Sequence, residues 1–276
     1  MKLALLRLLI LTACFCGLLQ GCTSSQTQDQ KLTLTGASTI APLVTIMGKR
    51  FETQNPRVQI DVQTGGSTRG LVDAKQGLAD IGMVSRSLTA TEQEGLQVFL
   101  IGLDGISIIV HKDNPLNEMT QAQIQDIYSN RVNNWKDLGG KDAPITVVHK
   151  AAGHSTLDLF LQYVELENLE IQADVIIGDN QQGIKTVVGN PNAIGYVSIG
   201  SAEYDAQQGV AIKLLTLDEV APSAENVAKG TFPLLRELNL VTYGESNPLA
   251  QKFIKFMLAQ ENHDLIEQQN FVPPQN

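Results

Sequence analysis

The 276-residue sequence predicts an α/β fold with largely parallel strands. Two observations carry that reading. Short β-branched runs alternate with amphipathic segments along the chain, and three of the strand-to-helix junctions place Gly or Ala beside a Ser-Thr pair. Lys31 to Thr35 reads as the first strand, and Pro42 suits the first turn of the helix that follows, where a missing N–H costs nothing. Val58 to Gln63 alternates as a second strand and Thr68 to Gln76 continues as a helix. Asp80 to Val84 is a third strand. Val98 to Gly102 and the apolar run Gly105 to His111 read as two more. Thr120 to Ser129 is helical in pattern, Thr146 to Lys150 is a strand, and Ser155 to Val164 and Gln181 to Val188 are helices. Ala193 to Ser198 and Leu238 to Thr242 are late strands, and Asn247-Pro248 caps an amphipathic helix that runs to about Ala259.

The first residues read as a targeting segment rather than as fold. Lys2 and Arg7 form a basic start ahead of the short apolar stretch Leu8 to Leu19, which leads into Leu19-Gln20-Gly21-Cys22. That is the pattern of a bacterial lipobox, with residues 1–21 cleaved and lipid carried on Cys22; a plain secretory signal is the alternative. The apolar run is too short to span a bilayer. Residues 22–31, rich in Ser, Thr and Gln, read as a flexible tether. The expected location is therefore extracytoplasmic, anchored to a bacterial membrane on its periplasmic side or at the cell surface. Thr23 in place of Asp after the lipid Cys favours the outer membrane in a Gram-negative cell.

Cys14 and Cys16 leave with the signal, so no disulfide framework or thiolate metal site is available to the mature chain. Losing Lys2 and Arg7 takes the formal charge from −9 to −11, which disfavours nucleic acid and anionic surfaces as partners. Of the four His residues only His149 and His154 are close in sequence, and no carboxylate completes a ligand set around them. No metal and no cofactor is expected. About 245 residues follow the tether, enough for one large or two ordinary domains.

The candidate chemistry lies at the three junctions: Gly36-Ala37-Ser38-Thr39, Gly65-Gly66-Ser67-Thr68 and Gly153-His154-Ser155-Thr156. Each combines a Gly-permitted close backbone approach, hydroxyl donors and the positive end of a helix dipole, which together suit an anion. An ordinary Ser-capped turn is the plainer reading of any one of them, and Ser155 with Asp158 resembles a capping box. Arg86, after Asp80 to Ser85, offers a rigid fork for an oxyanion, or else pairs with Glu92 or Glu94. Arg69 reads as an exposed helix residue. Lys150 stands beside the third nest. His154 either faces the anion, where its protonation would tighten binding, or is a solvent-facing turn residue. Gly153 to Leu157 is also half of a nucleophile elbow with Ser155 as nucleophile, but Leu157 stands where the strained turn needs its final Gly, so no enzyme is expected.

Taken together, these motifs resemble the phosphate-binding lipoproteins and periplasmic receptors of ABC phosphate importers, with the type II periplasmic-binding-protein fold. Asp104-Gly105, Trp135 to Gly140 and Asn190 to Tyr196 extend the resemblance over nearly the whole mature chain. It implies two α/β lobes joined by two crossing strands with a ligand cleft between them: lobe 1 from residues 32–106 plus 202–276, lobe 2 from 107–201, and hinges near Leu103 to Ser107 and Ser198 to Tyr204. It implies a ligand set of Ser38, Thr39, Ser67, Arg86, Lys150, His154, Ser155 and Thr156, inorganic phosphate as ligand, an ABC permease complex as partner, and a monomer. Lys150 departs from the family's usual Arg, and His154 and Ser155 stand where Ser and Gly are usual. The same fold holding sulfate or a molybdate-like oxyanion, or serving as a phosphate sensor or surface protein without transport, is the alternative.

Overall fold

The computed structural model describes residues 30–274, so the expected signal, the Cys22 expected to carry lipid and most of the expected tether lie outside the described residues. In chain order the first half contains β1 (Gln30–Gly36), α1 (Ala41–Gln54), β2 (Val58–Thr64), α2 (Ser67–Lys75), β3 (Ile81–Val84), α3 (Ala90–Gln93) and β4 (Leu96–His111). There follow β5 (Glu118–Met119), α4 (Gln121–Tyr128), β6 (Thr146–Lys150), α5 (Ser155–Val164), β7 (Val175–Ile177), α6 (Asn180–Gly189) and β8 (Ala193–Ser198). The chain closes with α7 (Ile199–Gln207), β9 (Ile212–Leu214), β10 (Thr216–Leu217), α8 (Ala224–Ala228), β11 (Leu235–Tyr243), α9 (Pro248–Leu258) and α10 (His263–Gln268).

The strands order as β2-β1-β3-β11-β4-β8-β6-β7, with β9 also on β4. β4 is the spine. Its first part, Leu96 to Gly105, pairs antiparallel with β11, and its second part, Ile106 to Val110, pairs antiparallel with β8. One strand thus begins in one lobe and ends in the other. The expectation of two strands, Val98 to Gly102 and Gly105 to His111, is corrected accordingly: they are one strand of 16 residues. Asp104-Gly105 has turn chemistry, yet the strand runs through it because the Asp104 carboxylate is bound within the sheet by Arg236.

Each lobe has its own core. Leu34, Leu43, Met47, Phe51, Met83, Leu240 and Phe253 form the first, where Phe51 meets Phe253 edge-on at 5.2 Å. Ile108, Tyr128, Trp135, Phe160 and Tyr196 anchor the second, with Phe160 stacked on Tyr196 at 3.8 Å. Leu215, Leu217, Val227, Phe232 and Leu234 pack in this second core, and β9 pairs with the far end of β4. The return crossing therefore lies near Leu234–Leu235 rather than at residue 202 as expected from the resemblance. The chain completes the second lobe with β9, β10 and α8 before it goes back. The start of the body also shifts slightly, since Gln30 and Lys31 already pair with Val58 and Gln59.

Local signals explain the helix ends that matter. Asp179 caps α6 by accepting from the Gln182 N–H at 2.8 Å, and Asn247 caps α9 by accepting from the Ala250 N–H at 2.7 Å. The start of α2 is fixed differently, by backbone against backbone. A Cβ on Gly70 would lie 2.7 Å from both the Met83 and Thr35 carbonyl oxygens, and one on Gly82 would lie 2.3 Å from the Gly70 carbonyl oxygen. These glycines let α2 press onto β1 and β3 and bring Ser67 to the carboxyl ends of those strands.

Gly70→Ala tests that packing. The methyl group meets two fixed carbonyls, so α2 has to move. We expect a loss of roughly 1–3 kcal/mol in denaturant unfolding. An unfolding midpoint equal to that of the parent chain contradicts the account.

Candidate functional site

Arg236 and Asp104 face each other directly across the β11–β4 ladder, close to where both strands cross between the lobes. Both side chains are fully buried. Arg236 donates from Nε and Nη2 to Asp104 Oδ2 at 3.0 and 2.8 Å, while Asp104 Oδ1 accepts from the Gly200 N–H at 3.2 Å. The guanidinium then reaches into both lobes: Nη2 donates to Thr39 Oγ1 at 3.0 Å and Nη1 to Thr156 Oγ1 at 2.9 Å. Thr39 Oγ1 accepts a second hydrogen bond, from Asn180 Nδ2 at 3.2 Å. A hydroxyl has two acceptor sites and one proton, so the Thr39 proton is left to donate elsewhere.

Asn180 links this network to Lys150, whose Nζ donates to Asn180 Oδ1 at 3.3 Å. Lys150 is only 2% exposed. Burial, and then the positive charge of Arg236, hold its ammonium down to about 7, partly opposed by Asp179. Its backbone N–H donates to the Tyr196 hydroxyl at 3.1 Å, which itself meets His149 Nδ1 at 2.9 Å. The strand end is thereby held on the aromatic core of the second lobe.

The second and third nests touch. Thr68 donates its N–H to the Gly153 carbonyl at 3.2 Å, a bond between the lobes. Gly66 and Gly153 have φ of +90° and +85°, and a Cβ on Gly66 would lie 2.4 Å from the Gly153 carbonyl oxygen, so glycine at 66 is a steric requirement. Ser67 is buried, and its Oγ accepts from the Ser85 N–H at 3.1 Å. Ser155 is the first residue of α5 and not its cap. His154 holds the cap position without a side-chain bond, so the resemblance of Ser155 and Asp158 to a capping box is not realised. The Ser155 Oγ is 2% exposed as a residue and has no hydrogen-bond partner among the described residues.

His154 is half-buried beside these groups, and burial followed by Lys150 pushes its titration down, against Asp179. Ser38 is half-buried and lines an opening of about 520 Å³ with Thr64, Asp179, Asn180 and Tyr204. Arg86 takes the alternative reading: it forks onto Glu92 with two bonds of 2.7 Å, and that pair holds the Glu92 carboxyl down to about 2. Asp158 is near enough to feel Arg86, although burial raises its carboxyl overall.

Thus Thr39, Lys150 and Thr156 belong to one hydrogen-bonded network, with Ser155 and His154 beside it and Ser67 across the nest contact. Arg86 is committed to Glu92. Sequence reasoning missed Arg236, Asp104 as a side chain, and Asn180. Asp104 left a signal, a carboxylate inside an apolar strand, which requires a cationic partner. Arg236 left none, because in Leu235-Arg236-Glu237-Leu238 it reads as half of an exposed pair of opposite charges with Glu237. Among the described residues no group of three His, Cys, Asp or Glu could hold a metal ion.

Comparison with known proteins agrees with this architecture. The PBP superfamily domain matches residues 22–261. The chain is 29% identical over 249 residues to the phosphate-binding protein PstS of Bacillus subtilis (strain 168), covering 88% of this chain and 80% of that one. It is 31% identical to an ABC transporter substrate-binding protein from Clostridium perfringens solved with bound phosphate, with a TM-score of 0.83 over 89% of this chain and 100% of that one. An ABC-type phosphate transport receptor from Vibrio cholerae is 29% identical, with a TM-score of 0.68 over 89% of this chain and 100% of that one. With its two lobes joined at a shared strand and a domain match spanning most of its length, the chain belongs to the PBP superfamily.

Proposed function

We propose that this chain is an extracytoplasmic receptor that captures inorganic phosphate for an ABC importer. The observation that carries the reading is the direction of the donors. Arg236 occupies acceptor sites on Thr39 from one lobe and Thr156 from the other, and Asn180 fills the second acceptor site of Thr39. The hydroxyl protons are therefore free to serve an anion. Ser155 Oγ, which has no partner among the described residues, supplies a further donor, as do the first-turn N–H groups of α2 and α5 other than those of Thr68 and Leu157, which bond to the Gly153 and His154 carbonyls. Lys150 brings charge. Ser38, Ser67 and His154 complete the proposed ligand set, while Arg86 stays paired with Glu92 and outside it.

Such a site offsets the hydration that the anion loses because its dipoles are already oriented. Charge-assisted hydrogen bonds contribute roughly 1.5–3 kcal/mol each, and four in net surplus reach the ~8 kcal/mol of micromolar affinity. Closure is built into the same atoms. Thr68 to Gly153, Asn180 to Thr39 and Arg236 to Thr156 all join one lobe to the other, so an anion bridging these groups favours the closed arrangement. The reaction class is binding, and Ser155 acts as a donor rather than a nucleophile. The relatives' names support phosphate as ligand and a permease as partner.

In this reading Cys22 carries lipid and the residues between it and β1 tether the body to the membrane. No helix among the described residues is long and apolar enough to cross a membrane. A second reading, sulfate or another fully ionised oxyanion, is favoured by one observation: the buried Asp104 spends its oxygens on Arg236 and the Gly200 N–H, so it does not accept from a protonated ligand.

Isothermal titration of the refolded chain with phosphate, sulfate, arsenate and molybdate separates these readings. We expect phosphate at micromolar Kd or tighter with sulfate at least a hundredfold weaker. The reverse preference replaces the substrate, and no binding by a folded chain removes the receptor. Thr39→Val and Thr156→Val probe the donors. Each removes a hydroxyl and leaves an Arg236 N–H short of an acceptor. We expect at least tenfold weaker phosphate binding from each, with cooperative unfolding retained; an unchanged Kd in both places the anion elsewhere.

A further inference from the structure

Lys150 is packed as few lysines are. Its ammonium has three donors, and among the described residues Nζ makes one hydrogen bond, to Asn180 Oδ1 at 3.3 Å. It stands beside Arg236, whose own charge is already matched by Asp104. It also lies at the convergence of two helix starts: α6 begins at its partner Asn180, and α5 begins five residues beyond it. Burial, a neighbouring cation and positive helix ends all disfavour a charged amine there. The charged and titratable groups facing it are Arg236 from β11, Asp179 from the α6 cap and His154 from the turn before α5. The Tyr196 hydroxyl from β8 meets its backbone. Of these, Asp179 alone favours the ammonium, and its Oδ1 is engaged in capping α6.

We propose that Lys150 is a proton-linked ligand, so that anion capture draws up to one proton from solvent onto the Lys150 amine. This deepens the anion-receptor reading and rests on it. The amine carries the proton only partly near neutrality in the free receptor, consistent with its lowered titration near 7. An oxyanion arriving within hydrogen-bond reach supplies the acceptors and the negative charge that Nζ lacks, and the ammonium becomes the stable form. No co-reactant other than H⁺ is needed: R–NH₂ and H⁺ give R–NH₃⁺ as the anion docks. The sign follows. Below about pH 6 Lys150 is already charged and binding takes up no proton through it; above about pH 8 each capture must recruit one, and affinity falls as pH rises. A receptor of this kind binds its anion best on the acid side and loosens it as the medium turns alkaline.

The test is titration calorimetry of the full chain with inorganic phosphate in two buffers of different ionisation enthalpy, at pH 6, 7.5 and 8.5. The parent chain is compared with Lys150→Arg, Lys150→Met and His154→Gln. Phosphate exchanges its own proton near neutrality in every variant, so the difference between variants isolates the side chain. We expect the parent and His154→Gln to take up 0.5–1 more proton per phosphate than Lys150→Arg at pH 8.5, and no more at pH 6. The Kd ratio of parent to Lys150→Arg should rise by up to about tenfold per pH unit above pH 7.5. If Arg fails to fold at this position, Lys150→Met gives the same comparison at weaker affinity. Equal uptake in the parent and the Lys150 variants, with phosphate still bound, overturns the inference and leaves the receptor intact. Loss of the extra uptake in His154→Gln alone assigns the proton to His154 and also overturns it. Failure of the folded parent to bind phosphate removes the receptor reading beneath it.

Discussion

The buried ion pair between Arg236 and Asp104 is the interaction on which the site depends. Taking two charges out of water costs several kcal/mol per ion, and such a pair contributes little net stability unless its remaining hydrogen-bonding groups are satisfied. Here most of them are: Asp104 accepts from Gly200 as well as from Arg236, and two of the three guanidinium N–H groups not used on Asp104 reach Thr39 and Thr156. The pair lies on the two strands that pass between the lobes, so it fixes the crossing and aims one hydroxyl from each side. Removing either partner would strand a charge at the hinge. The geometry of the crossing and the orientation of the Thr39 and Thr156 hydroxyls both depend on this one contact.

The charge balance fits capture by local dipoles more than by long-range attraction. The chain is acidic overall, at −9, which disfavours steering an anion from a distance. Near the site, Arg236 is neutralised by Asp104 and Arg86 by Glu92. What remains are hydroxyls, helix starts and Lys150. Donors of this kind work at hydrogen-bonding range in a water-poor cleft and are insensitive to bulk salt compared with exposed charges.

Much of this was legible in the sequence, and the reasons are local. Thr146 to Lys150 and Ser155 to Val164 were readable to the residue because a β-branched run, a glycine turn and an amphipathic segment follow one another without ambiguity. The three nests were visible for the same reason. Pairing between distant residues was not. Arg236 lies 132 positions from Asp104, and nothing in its own strand marks it as buried. The single β4 strand was divided by a turn-like Asp-Gly whose carboxylate is satisfied from that distance. The return crossing falls near Leu234 and not at residue 202 because β9, β10 and α8 join the second lobe before the chain goes back. Arg86 shows the converse, since its partner Glu92 is six residues away and was nameable from sequence.

The most direct test of the account is where an anion actually sits. Arsenate is a tetrahedral analogue of phosphate whose arsenic scatters anomalously, so a crystal of the arsenate complex locates it without model bias. The account predicts one dominant anomalous peak in the cleft, with arsenate oxygens within hydrogen-bonding distance of Thr39 Oγ1, Thr156 Oγ1 and Lys150 Nζ. A dominant peak elsewhere, for example in the surface hollow lined by Lys31, Arg57 and Lys252, would contradict it.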